Sequence, residues 1–105
     1  MPFIEFKGKK VEVNEEGFLI KAEDWSEELA KVLAEAEGID ELTEDHWKVI
    51  NYIRQYYLDH DIAPMVRLLC KETRFPLRYI YQLFTSGPAR GACKLAGLPK
   101  PDGCV

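Results

Sequence analysis

Pro64-Met-Val-Arg-Leu-Leu-Cys-Lys-Glu-Thr-Arg-Phe-Pro76-Leu-Arg-Tyr-Ile-Tyr-Gln-Leu-Phe-Thr-Ser-Gly-Pro88 decides the fold class. Each of the three prolines suits a first helical turn, where a missing N–H costs nothing and a fixed φ of about −65° is already helical. Between them the apolar residues recur at helical spacing: Met65, Val66, Leu68, Leu69 and Cys70, then Leu77, Ile80, Tyr81 and Phe84. Pro88 opens one more helix, which carries Cys93 and stops at Gly97.

Upstream, Thr43 caps a longer helix with Glu44 and Asp45 in the first turn, where the helix dipole favours acids. Its expected apolar face is Trp47, Ile50, Tyr52 or Ile53, Tyr57 and Leu58, and it ends near His60-Asp61. Asp24-Trp-Ser-Glu27 reads as a capping box with Asp24 as N-cap. The helix after it presents Leu29, Val32, Leu33 and Ala36 and stops at Gly38. At the start, two short strands alternate around Gly8, with Phe3, Val11 and Val13 facing inward, and Phe18-Leu-Ile is a third short strand. The chain is therefore mainly α (α+β): an orthogonal bundle of about five helices with a helix-turn-helix-like element and a small N-terminal β-hairpin. Residues 1–97 form the helical domain, and 98–105 form a flexible C-terminal arm.

With 105 residues, 47% apolar and 30% charged, one domain can bury a core without disulfide staples. No apolar run reaches the length of a membrane span and the start has no signal-peptide pattern, so the expectation is a cytoplasmic protein without membrane insertion, monomeric when free. The net charge of −4 hides a polarity. Residues 1–46 hold five Lys against fourteen acids, whereas 62–105 hold seven Lys and Arg against Glu72 and Asp102. A basic half this distinct suits an acidic partner or a phosphate backbone; a merely solvated face is the plainer reading.

The chemistry concentrates in Cys93-Lys-Leu-Ala-Gly-Leu-Pro-Lys-Pro-Asp-Gly-Cys104-Val105. Cys104 sits one residue from the end in a segment where Pro99-x-Pro101 excludes helix, so its sulfur is expected to be exposed and reactive. Gly103 keeps the tip slender, and seven extended residues from Leu98 reach roughly 23 Å. Lys100 is the nearby fixed cation, while Asp102 and the terminal carboxylate work against ionisation of the thiol. Cys93 has Arg90 one turn earlier and Lys94 beside it, an arrangement expected to favour thiolate; the competing reading is a small buried hydrophobe. Two thiols eleven positions apart suggest a swinging carrier arm, mobile when reduced and held when bridged. Cys70 lies with Val66, Leu69 and Thr73 on a core-like face. His46 and His60 lack metal-ligand spacing, and no cofactor motif stands out. The rival signal is Arg67, Lys71, Arg74 and Arg78 on two short helices, which resembles a helix-turn-helix DNA-binding regulator. In an acidic chain, protein docking is the preferred use, with any DNA binding weak, sequence-indifferent and steeply salt-dependent.

Gly91-Ala-Cys93-Lys-Leu-Ala-Gly-Leu-Pro-Lys-Pro-x-Gly-Cys104-Val105 resembles the C-terminal signature of the DsrC family of sulfur carriers. The likeness extends through Gly17-Phe-Leu, Asp45-His-Trp47, Ile62-Ala-Pro-Met-Val-Arg67, Tyr79-Ile-Tyr81 and Leu83-Phe84-x-x-Gly87-Pro88, nearly the whole chain. Asp102 departs from the family, which often has Thr there. The related TusE proteins, which pass sulfur toward tRNA thiolation, keep the penultimate cysteine but generally lack a partner matching Cys93. The resemblance thus implies the two-cysteine form, with a TusE-like relay as the alternative.

It further implies a protein co-substrate rather than an enzyme. Cys104 would enter the alpha and beta subunits of dissimilatory sulfite reductase, whose sirohaem and iron–sulfur clusters this chain does not itself bind. Sulfur taken up there at the persulfide level would be captured by Cys93 as a Cys93–Cys104 trisulfide or disulfide. A membrane-bound reductase complex would then reduce that bridge. In sulfur oxidisers the direction would reverse, with sulfurtransferases as donors.

Overall fold

Phe3–Phe6 (β1) and Lys9–Glu12 (β2) pair antiparallel around Lys7-Gly8, both at positive φ, the two-residue turn that matches strand twist. The structure, a computed structural model, describes residues 2–99 without the side chains at 89 and 90. Opposite residues share a face, and Ile4 stands opposite Val11, so Ile4 packs toward the core with Val11 and Val13. Phe3 does not face inward as expected: it lies opposite Glu12 on the outer face and is 47% exposed. Phe18-Leu-Ile forms a single bridge, Val13 to Leu19, instead of a strand, because Phe18 and Leu19 are both buried and strand alternation is lost.

Helix α1 spans Glu27–Ala36 and α2 spans Glu44–His60. The cap of α1 is Ser26, whose hydroxyl accepts from the Leu29 N–H; Asp24 instead lies in a 3-10 turn, Ala22–Asp24. The chain must first pass Trp25, which is extended, and this puts the helical start two residues later. Ser26→Ala should therefore cost about 1 kcal/mol in urea denaturation and Asp24→Ala close to nothing. The buried face of α1 is Leu29, Ala30, Leu33 and Ala34; Ala36 faces solvent. α1 ends in a Schellman turn, with Gly38 donating to Glu35 and Ile39 to Ala34.

Thr43 caps α2 as expected, but the reciprocal partner is His46. Its Nδ1 accepts the Thr43 backbone N–H at 3.0 Å, so Nε2 carries the proton and donates to the Leu83 carbonyl at 2.9 Å. His46 is thus a buried tie between α2 and the helix that ends at Leu83. The core face of α2 is Val49, Ile50 and Ile53; Tyr52 and Tyr57 are half-buried, and Leu58 is 56% exposed because it turns past the edge of the bundle.

Helix α3 spans Val66–Thr73 and α4 spans Leu77–Leu83, joined by Arg74-Phe75-Pro76 with Arg74 in the left-handed region. Pro64 falls before rather than inside α3, whose cap is Met65, 70% exposed. Pro76 caps α4. The last element is not one uniform helix. Pro88–Ala92 is a π-turn, closed by Cys93 N–H to Pro88 C=O, and runs into α5, Cys93–Leu95. α5 packs on α1 and α2, with Cys93, Leu95 and Ala96 all in the core. Leu98 is 1% exposed, so it belongs to the folded body rather than to the arm.

Candidate functional site

Cys93 is delivered by a chain path that only small residues permit. Gly87, at φ 87°, lies against the Tyr81 ring, and a Cβ there would approach Tyr81 Cε1 to 2.8 Å. A Cβ on Gly91 would come within 2.9 Å of the Phe84 Cβ. The π-turn therefore presses directly onto Phe84 and carries Ala92 and Cys93 inward, leaving Cys93 1% exposed. Inserted π-turns are uncommon and concentrate at functional positions.

After Cys93 the backbone closes a Schellman motif: Gly97 donates to Lys94 C=O at 3.0 Å and Leu98 to Cys93 C=O at 3.2 Å, with Gly97 at φ 78°. The carbonyls left over are taken from outside. The Trp25 indole N–H donates to Leu95 C=O at 2.7 Å, and Arg54 Nη1 donates to Ala96 C=O at 3.2 Å. Arg54 Nη2 also donates to Ala22 C=O at 2.9 Å, and the guanidinium lies 4.7 Å from the Trp25 ring centre. Burial lowers the pKa of Arg54 from its ordinary value, with Tyr57 and Glu23 opposing.

On the other flank, Lys94 Nζ meets Glu37 Oε1 at 2.6 Å, and Ser86 Oγ donates to Glu37 Oε2 at 2.9 Å. The ammonium also lies 5.3 Å from the Phe18 ring centre. Lys94 is adjacent to Cys93 in sequence, but neighbouring helical residues point about 100° apart and do not face one another. Its charge is answered by Glu37, and its role is to tie α5 to the C-terminus of α1. Arg90's side chain, Lys100, Gly103 and Cys104 lie outside the described residues. Cys70 is half-buried on α3, packed against the core rather than within it.

Arg67, Lys71, Arg74 and Arg78 are all exposed. Arg67 and Lys71 share one face of α3, Arg74 is its left-handed cap, and Arg78 is in the first turn of α4. Met65, Leu77 and Tyr81, on the same two helices and their caps, are exposed as well. Two open clefts of about 350 and 380 Å³ lie elsewhere, under Trp47 and beside the hairpin, and neither is lined by Cys93. Among the described residues no group of His, Cys, Asp or Glu could hold a metal ion, and no helix is long and apolar enough to cross a membrane.

Trp25 and Arg54 are the site residues that reading the sequence missed. The available signal was Arg54, a cation between Ile53 and the tyrosines at the border of an apolar stripe. That pattern does not say which carbonyls the cation reaches.

A family profile described as "DsrC like protein" matches residues 5–105. The sulfite reductase, dissimilatory-type subunit gamma, of Nitratidesulfovibrio vulgaris (strain Hildenborough) is 50% identical over 105 residues, all of both chains. Sulfurtransferase TusE of Escherichia coli (strain K12) is 44% identical over 107 aligned positions, covering 95% of this chain and 97% of that one. The crystal structure of the oxidized gamma-subunit of the dissimilatory sulfite reductase from Archaeoglobus fulgidus superposes with a TM-score of 0.87 at 47% identity, covering 99% of this chain and all of the other. Profile, sequence and fold agree across essentially the whole length, and this chain belongs to the DsrC family.

Proposed function

We propose that this protein is a sulfur carrier of dissimilatory sulfur metabolism, taking sulfur on Cys104 and resolving it with Cys93. The observation that carries the reading is the placement of Cys93: one thiol held in the core on a braced three-residue helix, eleven positions before a second thiol. The names of its relatives, a sulfite reductase gamma subunit and a sulfurtransferase, support the carrier role.

The chemistry balances as follows. Sulfite reduced only part-way leaves a sulfur on Cys104 that still bears a hydroxyl. The Cys93 thiol attacks that sulfur, the S–S bond closes, and water leaves, giving a trisulfide without further oxidant. Four electrons and four protons from a reductase then restore two thiols and release hydrogen sulfide. A fully reduced persulfide on Cys104 would instead need a two-electron acceptor before it could be bridged. The tethered thiol outruns external thiols because an intramolecular partner acts at an effective concentration in the millimolar range or above. Sulfite reductase subunits would take up the arm, a membrane-bound complex would reduce the bridge, and the basic surface of Arg67, Lys71, Arg74 and Arg78 would dock an acidic protein partner.

Mild oxidation of the dithiol protein followed by alkylation and peptide mapping tests the pairing. Cys93 and Cys104 should be joined and Cys70 should be the alkylated residue. A Cys70–Cys93 bond, or ready labelling of Cys93 after oxidation, would defeat the proposal.

A further inference from the structure

We infer that Trp25 and Arg54 are positioning residues for the carrier arm: they fix the backbone path from Cys93 to Leu98 and hence the direction from which Cys104 meets Cys93. The inference rests on the proposed pairing of these two thiols. A helix of three residues has no stability of its own, and its last carbonyls have no partners within it. Water would satisfy those carbonyls at an ordinary surface end. Here the Trp25 N–H takes Leu95 C=O and Arg54 takes Ala96 C=O, from residues 70 and 42 positions away.

The contact is too close to be incidental. A Cβ on Gly97 would lie 2.2 Å from Trp25 Cδ1, so the backbone passes directly beneath the indole. Arg54 in turn holds the indole from its face and reaches back to Ala22, the turn that carries Trp25. A planar guanidinium aims its donors at two carbonyls in fixed directions, whereas the three donors of an ammonium rotate on a flexible stem. With Leu98 buried and bonded to Cys93, the path from Cys93 to Leu98 is determined by backbone atoms. Six residues then remain to Cys104, a reach of roughly 20 Å.

A role in stability alone and a role in positioning differ in size. If the clamp only shortens the free segment, releasing residues 94–98 less than doubles it, and loop closure weakens by roughly threefold at most. If the clamp sets direction, misalignment costs on the order of tenfold or more.

The test uses the full chain carrying Cys70→Ser, equilibrated in glutathione buffers. Bridge formation passes two electrons from the Cys93 and Cys104 thiols to glutathione disulfide, releasing two glutathione thiols. Trp25→Phe keeps an aromatic face, though a smaller one, and loses the N–H donor; Arg54→Lys keeps the charge and loses the fork. Each should lower the ratio of bridged to dithiol protein about tenfold relative to the parent, with an unchanged far-UV spectrum. Variants that melt earlier yet bridge within threefold of the parent overturn the inference, and a parent that forms no bridge overturns it together with the pairing. Sulfur uptake on Cys104, scored separately by mass, decides the carrier reading without bearing on the clamp. Should the variants fail to fold, amide exchange in the parent decides: the Gly97 and Leu98 amides should be protected on the order of a hundredfold, and exchange at open-chain rates overturns the clamp.

Discussion

Cys104→Ala should abolish sulfur uptake, leaving less than about 1% of the wild-type rate, because only a thiolate attacks and holds the incoming sulfur. Reduced protein is incubated with a persulfide donor or with sulfite reductase, and a mass gain of one sulfur atom is followed and mapped. Cys93→Ala should still take up sulfur but leave it on Cys104 as an open adduct, released by any added thiol. Cys70→Ser should behave as wild type, since Cys70 belongs to α3 and has no part in the proposed pairing of Cys93 with Cys104. Uptake by Cys104→Ala at the wild-type rate would end the assignment. Uptake lost in Cys93→Ala but kept in Cys104→Ala would mean that Cys93 is the acceptor and the order of the two thiols is reversed.

The second large effect is on stability. Gly97→Ala combines a left-handed φ of 78° with a Cβ only 2.2 Å from Trp25 Cδ1. The backbone conformation costs an L-residue about 1–2 kcal/mol, and overpacking adds about 1–3 kcal/mol. For a domain of this size the sum corresponds to a fall in Tm on the order of 10–25 °C. Gly38→Ala is the control. It has nearly the same φ, 81°, and nothing within 4 Å of an added Cβ, so it should lose only the conformational part. Calorimetry of the two variants isolates the steric contribution of Trp25. Equal losses at the two sites would mean that the indole moves aside freely, and the close packing of Trp25 on Gly97 would carry no weight.

Much of the architecture was legible in the residues. Thr43, Gly38 and Gly97 announced helix ends because capping and left-handed turns are local chemistry, decided by a residue and its immediate neighbours. Apolar spacing placed Ile50 on the core face of α2 for the same reason, but it left Tyr52 or Ile53 open and passed over Val49; burial selects Ile53 and Val49. The errors fall where a distant element chose between local options. Asp24 and Ser26 are both good caps, and the packing of Trp25 on Gly97 selects Ser26. Phe3 and Ile4 are both apolar, and the cross-strand register at Val11 selects Ile4.

The candidate site divides in the same way. The pair of thiols, their separation by eleven positions and the Gly- and Pro-rich stretch between them were determined by the sequence alone, because covalent spacing needs no fold to be read. Lys94 shows the limit: adjacency in sequence put its charge beside Cys93, whereas helix geometry turns it to Glu37. Leu98 reads as part of the arm but belongs to the core, since burial depends on what the chain folds against. The bond from Trp25 to Leu95 and the forked reach of Arg54 to Ala96 and Ala22 were decided only by tertiary structure. A backbone carbonyl leaves no trace in the identity of its residue, so its partner emerges only when the folded chain brings a donor to it.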